Sequence, residues 1–516
     1  MPRIRRGSKD MGKVYTLVLF VIYFICLMFF SEAYAATIQA KSCSLTDVRN
    51  AVNEASRGDT VVVPPGSCNW NDTVTIQKAI TLQGSGSDST LIISKFEANG
   101  KVPGYPFVRW KPSPLDKSYV FRVTGFQFDS QNFTAAFRVD NSYTTFTPSL
   151  RIDNNRFINT ARLADSPSTE PWETRISMTM MFFGLVKGVI DNNYFSGKTV
   201  IQARRGNSAW TTPTVTSWDN GTDDNVFFED NYFYRNDSMN QVVLSGAGGS
   251  FVARYNTFDC TLRAGYFYSA DTHGAQPGPS FSGFGAEMYG NKIIAPNATG
   301  QRIAELRGGI HKVFYNKSIS SVKPYITLWE TYSPTYSKTS TRYTCPAGSL
   351  YVGTSTCSID GRGQNVEKSY FWNNLYGTSG PGSAVVYNNL LGTNPYPDPS
   401  VTKAKALREN FDFWLPQTSF NGKHGVGCGP LANRPTTCTE GVGYWATNQS
   451  CTEVADDSLG ANPRTPIQGI LYRCESANKW TTYYTPYKYP HPLRSNDPEP
   501  TDPETISAPK GFKLVN

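Results

Sequence analysis

One short phrase recurs along this chain and constrains its fold more than any other feature. Strand-like residues reach an asparagine, and an apolar side chain follows one or two positions later. The phrase reads Arg151-Ile-Asp-Asn-Asn-Arg-Phe157, then Val189-Ile-Asp-Asn-Asn-Tyr-Phe195, then Phe227-Phe-Glu-Asp-Asn-Tyr-Phe233. Val252–Phe258, Glu287–Ile293, Lys312–Ser318, Ser369–Leu375 and Val385–Leu391 repeat it. The key residues are Asn155, Asn193, Asn231, Asn256, Asn291, Asn316, Asn374 and Asn389, at intervals of 38, 38, 25, 35, 25, 58 and 15.

A propeller or a leucine-rich repeat holds its period more strictly than this. A parallel β-helix needs only its short strands to stack, so loops of any length fit at its corners. The two intervals of 25 then read as single turns, and most of the longer ones as turns with an inserted loop. Asparagine suits such a corner because it accepts a left-handed backbone and its amide can bond the equivalent residue one turn away. The apolar residue after it is expected to point inward. A set of ordinary hairpins with Asn turns is the competing reading, and the matched flanking aromatics disfavour it.

Solenoid ends need caps. Ser44–Ser56 places Leu45, Val48, Ala51, Val52 and Ala55 at helical spacing behind a candidate N-cap, Ser44, which predicts a lid helix. Two alternating strand phrases follow, Asp59-Thr-Val-Val-Val-Pro-Pro-Gly66 and Val74-Thr-Ile-Gln-Lys-Ala-Ile-Thr-Leu-Gln-Gly84. This opening, with the Asn phrases, resembles right-handed parallel β-helix proteins of the pectin-lyase-like superfamily over roughly residues 40–395. The resemblance implies an all-β right-handed parallel β-helix of about ten to twelve turns. It leaves activity open, because that superfamily includes polysaccharide lyases, glycoside hydrolases, epimerases, tailspikes and adhesins.

Composition agrees with a large β-rich chain. Of 516 residues, 69 are Phe, Tyr or Trp, 76 are Gly or Pro, and only 17% are charged. That is too aromatic for disorder and too poor in charge for a coiled coil. At the N-terminus, Arg3, Arg5, Arg6, Lys9 and Lys13 precede an uncharged run from Val14 to Phe30 and then Ala33-Tyr-Ala35. Residues 1–35 therefore read as a signal peptide, which predicts a secreted or cell-surface protein and no membrane contact after cleavage. An uncleaved anchor is the alternative, since the run is close to the minimum span. Removing the segment leaves 44 basic and 39 acidic residues. That mild excess suits an acidic polymer, and no Lys/Arg cluster of the nucleic-acid type is present.

Nine cysteines remain after that cut. An exported chain without Cys-x-x-Cys or Cys/His spacing favours disulfides over metal ligands. Proximity pairs Cys43 with Cys68, Cys345 with Cys357, Cys428 with Cys438 and Cys451 with Cys474, leaving Cys260 as a buried core thiol. The expected organisation is a capped β-helix over 36–399, a disulfide-stapled β module over 400–493 packed on the last turns, and a polar Pro-rich tail over 494–516. The closing Tyr484-Thr-Pro-Tyr-Lys-Tyr-Pro-His-Pro-Leu493 resembles the ending of several secreted bacterial β-helix proteins.

The resemblance places any site on the outer face of one sheet, walled by the insertions after Asn155, Asn193, Asn256 and Asn316. β-Elimination of a uronate needs a base for the C5 proton and a cation on the carboxylate, whereas hydrolysis needs two carboxyl groups. Asp271-Thr-His-Gly274 is the best local signal, with His273 as proton-transfer group and Asp271 as its orienter. It resembles a His-Gly element of such proteins, although Thr272 departs from the Gly-His-Gly of polygalacturonases. A turn with a hydrogen-bonded histidine is the plain alternative.

Glu287 is the candidate carboxyl partner for hydrolysis. Arg307 is a candidate substrate ligand, with Glu305 on the same side of its strand. A ladder of exposed ion pairs is the competing reading for these three. Arg204, Arg205 and Trp210 could grip an acidic sugar and stack on it, or could belong to a solvated loop. Asp223-Asp224 reads as a turn. No cofactor motif is present; calcium would require outer-face carboxylates of different turns to converge. The expectation is an exported protein acting on an acidic polysaccharide as lyase or hydrolase, with a non-enzymatic adhesin as the rival.

Overall fold

The computed structural model describes residues 35–101, 105–141, 148–160, 178–197, 199, 201–204, 220–234, 242–246, 248–261, 265–272, 283–307, 309–329, 366, 368–378, 382–390 and 409–495. Its strands stack into three long sheets, and each turn of the chain visits them in the same order. Sheet 1 has 12 strands, from Thr37–Gln39 to Phe413–Trp414; sheet 2 has 11, from Gly66–Trp70 to Ser383–Ala384; sheet 3 has 10, from Val74–Ile76 to Val386–Leu390. Neighbours pair in parallel, except for an antiparallel last pair in sheet 2. The architecture is a parallel β-helix.

The asparagine phrase forms the corner between sheets 1 and 2. Asn155 Oδ1 accepts the Phe126 N–H, and Asn193 Oδ1 accepts both the N–H and the side-chain amide of Asn155. The same pair of bonds runs on through Asn231, Asn256, Asn291, Asn316 and Asn374. Each amide therefore satisfies buried backbone groups of two successive turns. Two details differ from the sequence reading. Asn389 is not a rung, because it lies within a sheet 3 strand opposite Leu328. The left-handed residue is not the rung itself but the one before it: Asn154, Asn192, Asp230, Tyr255, Gly290, Tyr315 and Asn373 all have φ between 46° and 66°.

The residue two positions after the rung is buried, apolar after Asn155, Asn193, Asn231, Asn256 and Asn291 and a serine, Ser318, after Asn316. Phe128, Phe157, Phe195, Phe233 and Phe258 form a continuous stack with centroids 4.8 to 5.6 Å apart. Burying each such ring contributes on the order of 2 kcal/mol. At the N-terminal end, the helix Leu45–Glu54 buries Val48, Ala51 and Val52 over the first turn. Ser44 caps it by accepting the Asp47 N–H, and Cys43–Cys68 ties the lid to sheet 2.

A second apolar cluster lies outside the helix. Strands Val426–Gly429, Gly443–Ala446, Ile470–Ser476 and Lys479–Tyr484 form a four-stranded sheet that packs on the outer face of sheet 1 through Trp445, Leu471 and Tyr484. Its disulfides are Cys428–Cys451 and Cys438–Cys474, not the pairing that proximity suggested. The first strand lies beside the second, and this brings Cys428 to the loop after the second strand rather than to its sequence neighbour. Cys260 is buried and takes part in none of these disulfides, while Cys345 and Cys357 lie outside the described residues. The left-handed corner residues grip this module: Tyr255 Oη accepts the Ile467 N–H, Tyr315 donates to the Ser450 carbonyl, and Asp230 accepts the Asn462 N–H.

Candidate active site

Three outer faces are available on such a helix, and the charged candidates divide between two of them. On sheet 1 the outer rows run Arg122, Arg151, Val189, Phe227, Val252, Glu287, Lys312 and Thr124, Asp153, Asp191, Glu229, Arg254, Tyr289. This is an ion-pair ladder, but a buried one. Arg151 bonds both oxygens of Asp191 at 3.0 and 2.8 Å, and Arg254 Nε bonds Glu229 at 2.7 Å. The C-terminal segment then closes over it, with Leu493, Tyr487 and Lys488 giving their carbonyls to Arg151 and Arg254.

Glu287 belongs to this closed face. It is fully buried; Tyr484 donates to one oxygen at 2.5 Å and the Gly221 N–H to the other at 2.8 Å. Burial raises its pKa against those two bonds. Lys312 stands opposite on the next strand, and burial pulls its pKa down to about 7 despite the attraction of Glu287. The sequence grouped Glu287 with Asp271 and His273. The structure separates Glu287 from Asp271, because Gly285–Tyr289 is the sheet 1 strand and Gly265–Thr272 the sheet 3 strand of their turns.

Sheet 3 carries the other candidates. Its inward residues include Val243, Ala270, Ala304, Leu306 and Ile326. Between them one outer row runs Thr75, Arg109, Arg138, Met181, Gln202, Leu244, Asp271, Glu305, Thr327, Asn388. Asp271 and Glu305 are thus direct cross-strand neighbours, both buried. The strand register shifts between Arg302 and Ala304, which brings Arg302 onto the Glu305 carboxylate by a hydrogen bond from Nη1. Arg302 also lies over the Tyr325 ring, 5.2 Å from its centroid.

By register, Arg204 stands two positions beyond Gln202 and Arg307 two beyond Glu305, so both backbones occupy the next outer row of the same sheet. His273, Arg205 and Trp210 lie outside the described residues. Asp223 and Asp224 sit in a turn and face Lys187 at 3.1 and 3.6 Å. Among the described residues no group of three His, Cys, Asp or Glu is positioned to hold a metal ion, and no helix is long and apolar enough to cross a membrane.

Chain connectivity also favours sheet 3. Residues 205–225, 273–284, 330–368 and 391–412 all join a strand of sheet 3 to one of sheet 1, and 161–179 leads into a sheet 3 strand from sheet 2. The corner between sheets 1 and 2 holds only the two residues of each asparagine turn from Asn154-Asn155 through Asn373-Asn374. The long insertions thus join the chain at the borders of sheet 3.

Sequence reasoning missed Arg109, Arg138 and Asp140. Alternation in Phe137-Arg-Val-Asp140, and Arg109 between the apolar Val108 and Trp110, were the signals that would have put these charges on an outer face. It also missed the sheet 1 ladder and Arg494, which had been assigned to the tail.

Neither a model of a known protein family nor a curated protein sequence matches this chain. Among solved structures, a mutant of the PL6 family alginate lyase AlyGC aligns with a TM-score of 0.34 and 12% identity, over 84% of this chain and 59% of that one. This chain thus spans less than two thirds of that structure's length. The assignment of the parallel β-helix stands on the strand pairings themselves.

Proposed function

We propose that this protein is exported and cleaves an acidic polysaccharide along the outer face of sheet 3. The observation that carries the reading is the cross-strand pair Asp271 and Glu305 on a sheet bordered by the longest insertions. Neighbouring strands lie about 4.8 Å apart, close to the carboxyl separation of about 5 Å used in retaining glycoside hydrolysis. In that reaction one carboxyl protonates the departing glycosidic oxygen while the other attacks C1. Water then releases the glycosyl intermediate.

Elimination is the second form of the same reading. It draws on Arg204 and Arg307, which share an outer row by register, and on His273, two residues after Asp271 in sequence. There His273 takes the C5 proton, the C5 electrons form the C4–C5 double bond, and the O4 sugar leaves. Arg307 and Arg204 hold the uronate carboxylate. A non-enzymatic glycan-binding solenoid is the rival class, and the half-buried Tyr232 and Tyr234 on sheet 2 are what favours it.

The test is a screen of the purified chain against uronate-containing and neutral polysaccharides, following reducing ends and the ultraviolet absorbance of an unsaturated uronate. Reducing ends alone indicate hydrolysis and both signals indicate elimination. Retention on a polymer without product would replace the enzyme by the binding solenoid.

A further inference from the structure

Sheet 1 begins at the point where the sequence places the end of a signal peptide. Ala33-Tyr-Ala35 carries the small residues that precede a cleaved peptide bond, which would put Ala36 first in the processed chain. Ala35 makes no hydrogen bond among the described residues, and Ala36 is the first residue tied to sheet 1. The Ala36 carbonyl accepts the Thr60 N–H at 2.8 Å, and Thr37–Gln39 then pairs in parallel with Thr60, Val61 and Val62. Ala35, Ala36 and Thr37 are all exposed.

The Ala36 N–H donates to Asp59 Oδ1 at 2.7 Å. Asp59 is a buried carboxylate, 6% exposed, and the loop after the lid helix fixes its direction. Its Oδ2 accepts the Ser56 N–H at 2.7 Å, while its own N–H donates to the Ser56 carbonyl at 3.2 Å. Among the described residues no lysine, arginine or histidine pairs with it. Arg57, two positions away, turns to Asp116 at 2.7 Å, and Lys78 donates to the Asn53 and Ala55 carbonyls at the end of the lid helix. Burying a carboxylate is costly without a cation, and a charged donor bonds it about twice as strongly as a neutral amide.

We infer that Asp59 is the receptor for a processed N-terminus, and that its missing cation is the α-ammonium group of Ala36. Processing is hydrolysis of the Ala35–Ala36 peptide bond by a peptidase that removes signal peptides. The Ala35 carbonyl carbon takes the hydroxyl of water and the Ala36 nitrogen takes its proton. The new carboxylic acid then gives its proton to the amine, leaving a carboxylate on the departing peptide and an ammonium on Ala36. A free α-amine has a pKa of about 7.7–8.0, so it is mostly charged at neutral pH. The Ala36 nitrogen already stands at hydrogen-bond distance from Oδ1. Cleavage therefore converts a neutral hydrogen bond into a charge-assisted one at the capped end of the β-helix. This inference rests on the export half of the proposed reading and is independent of which sheet carries the chemistry.

The experiment exports the full chain from a secreting host on its own N-terminal segment and reads the first residue of the product from its intact mass. The product is then treated with cyanate near neutral pH, and carbamylation of the N-terminal peptide is followed by mass spectrometry. Cyanate attacks only the unprotonated amine, so an ammonium held by Asp59 reacts slowly. Asp59→Asn is run alongside, together with a variant carrying Ala-Ser inserted between Ala35 and Ala36. The insertion keeps Asp59 and moves the new ammonium two residues away, which covers the case in which Asp59→Asn does not fold. The expected product begins at Ala36 and is carbamylated about tenfold more slowly than either folded variant, the effect of one unit in the pKa of the amine. Equal rates in the wild type and the insertion variant overturn the receptor and leave export intact. An exported product that keeps the segment, or begins at another residue, also overturns the receptor alone. A chain that is not exported overturns the inference and the export reading together.

Discussion

Arg494 reaches from the end of the C-terminal segment into the outer face of sheet 1 and donates from Nη1 to Glu229 Oε1 at 2.5 Å, across 265 residues of sequence. The same guanidinium bonds Asp230 and lies 3.3 Å from Asp191, so one side chain ties two successive turns of the helix to the end of the module. Burial pushes the Asp191 and Asp230 carboxyls up, to about 7 and about 6. Burial acts on Glu229 as well, but Arg254 and Arg494 outweigh it and hold its pKa below the usual value. Removing the cation takes the arginine from buried Asp230 and one of the two arginines from Asp191 and from Glu229. Arg494→Ala is expected to destabilise the chain by about 3–5 kcal/mol and to open the segment after Tyr484 to proteolysis. Urea unfolding and limited digestion check both, and an unchanged midpoint contradicts the role given to Arg494.

His491 supplies a pH dependence whose sign can be worked out. Its ring is buried, packs edge-on against Phe227, and accepts the Leu493 N–H at Nδ1, which requires that nitrogen to be unprotonated. Burial lowers its pKa to about 4, against 6.5 unfolded. The unfolded chain therefore binds a proton first as pH falls. Stability from this residue is complete above about pH 6.5 and is lost progressively down to about pH 4, by up to about 3 kcal/mol. Asp191 and Asp230 oppose it over part of this range, since their raised pKa values let the folded state take up protons earlier. The quantity to measure is accordingly the difference between wild type and His491→Gln across pH 4–7, which should narrow as pH falls.

The asparagine ladder predicts a cost that depends on position. Asn256→Ala removes the acceptor of the Asn231 N–H and the donors to Phe228 and Arg254 carbonyls, all buried. A loss of about 2–4 kcal/mol is expected from groups left unsatisfied. Asn389 instead lies in a sheet 3 strand, opposite Leu328, away from the corner that the ladder occupies.

That contrast marks how far the sequence could be read. Seven asparagines spell the ladder because each repeats the same bonds every turn, and the following phenylalanines spell the inner stack for the same reason. Asn389 carries the same letters, yet its strand belongs to sheet 3. Letters do not say which of three sheets a strand joins, and Glu287 was grouped with Asp271 for that reason. The module's cysteine pairing was equally illegible, since strand order and not sequence distance decides which sulfurs meet. Arg494 looked like tail because its partners lie in turns far away along the chain.

Glu287 gives a test of where the site lies. It is buried under Tyr484 on sheet 1, so Glu287→Gln turns one acceptor into a donor facing the Tyr484 hydroxyl or the Gly221 N–H. Stability should fall by about 1–3 kcal/mol while activity per folded molecule stays within about twofold of wild type. A folded Glu287→Gln protein with its activity abolished would move the site to sheet 1.

The most direct test of the account is cleavage of the responsive polysaccharide by Asp271→Asn and Glu305→Gln, each checked for folding by circular dichroism and thermal melting. If the paired carboxylates on sheet 3 carry out the chemistry, each variant loses about a hundredfold or more in kcat while Glu287→Gln does not. Folded Asp271→Asn and Glu305→Gln proteins that both keep wild-type turnover would contradict it.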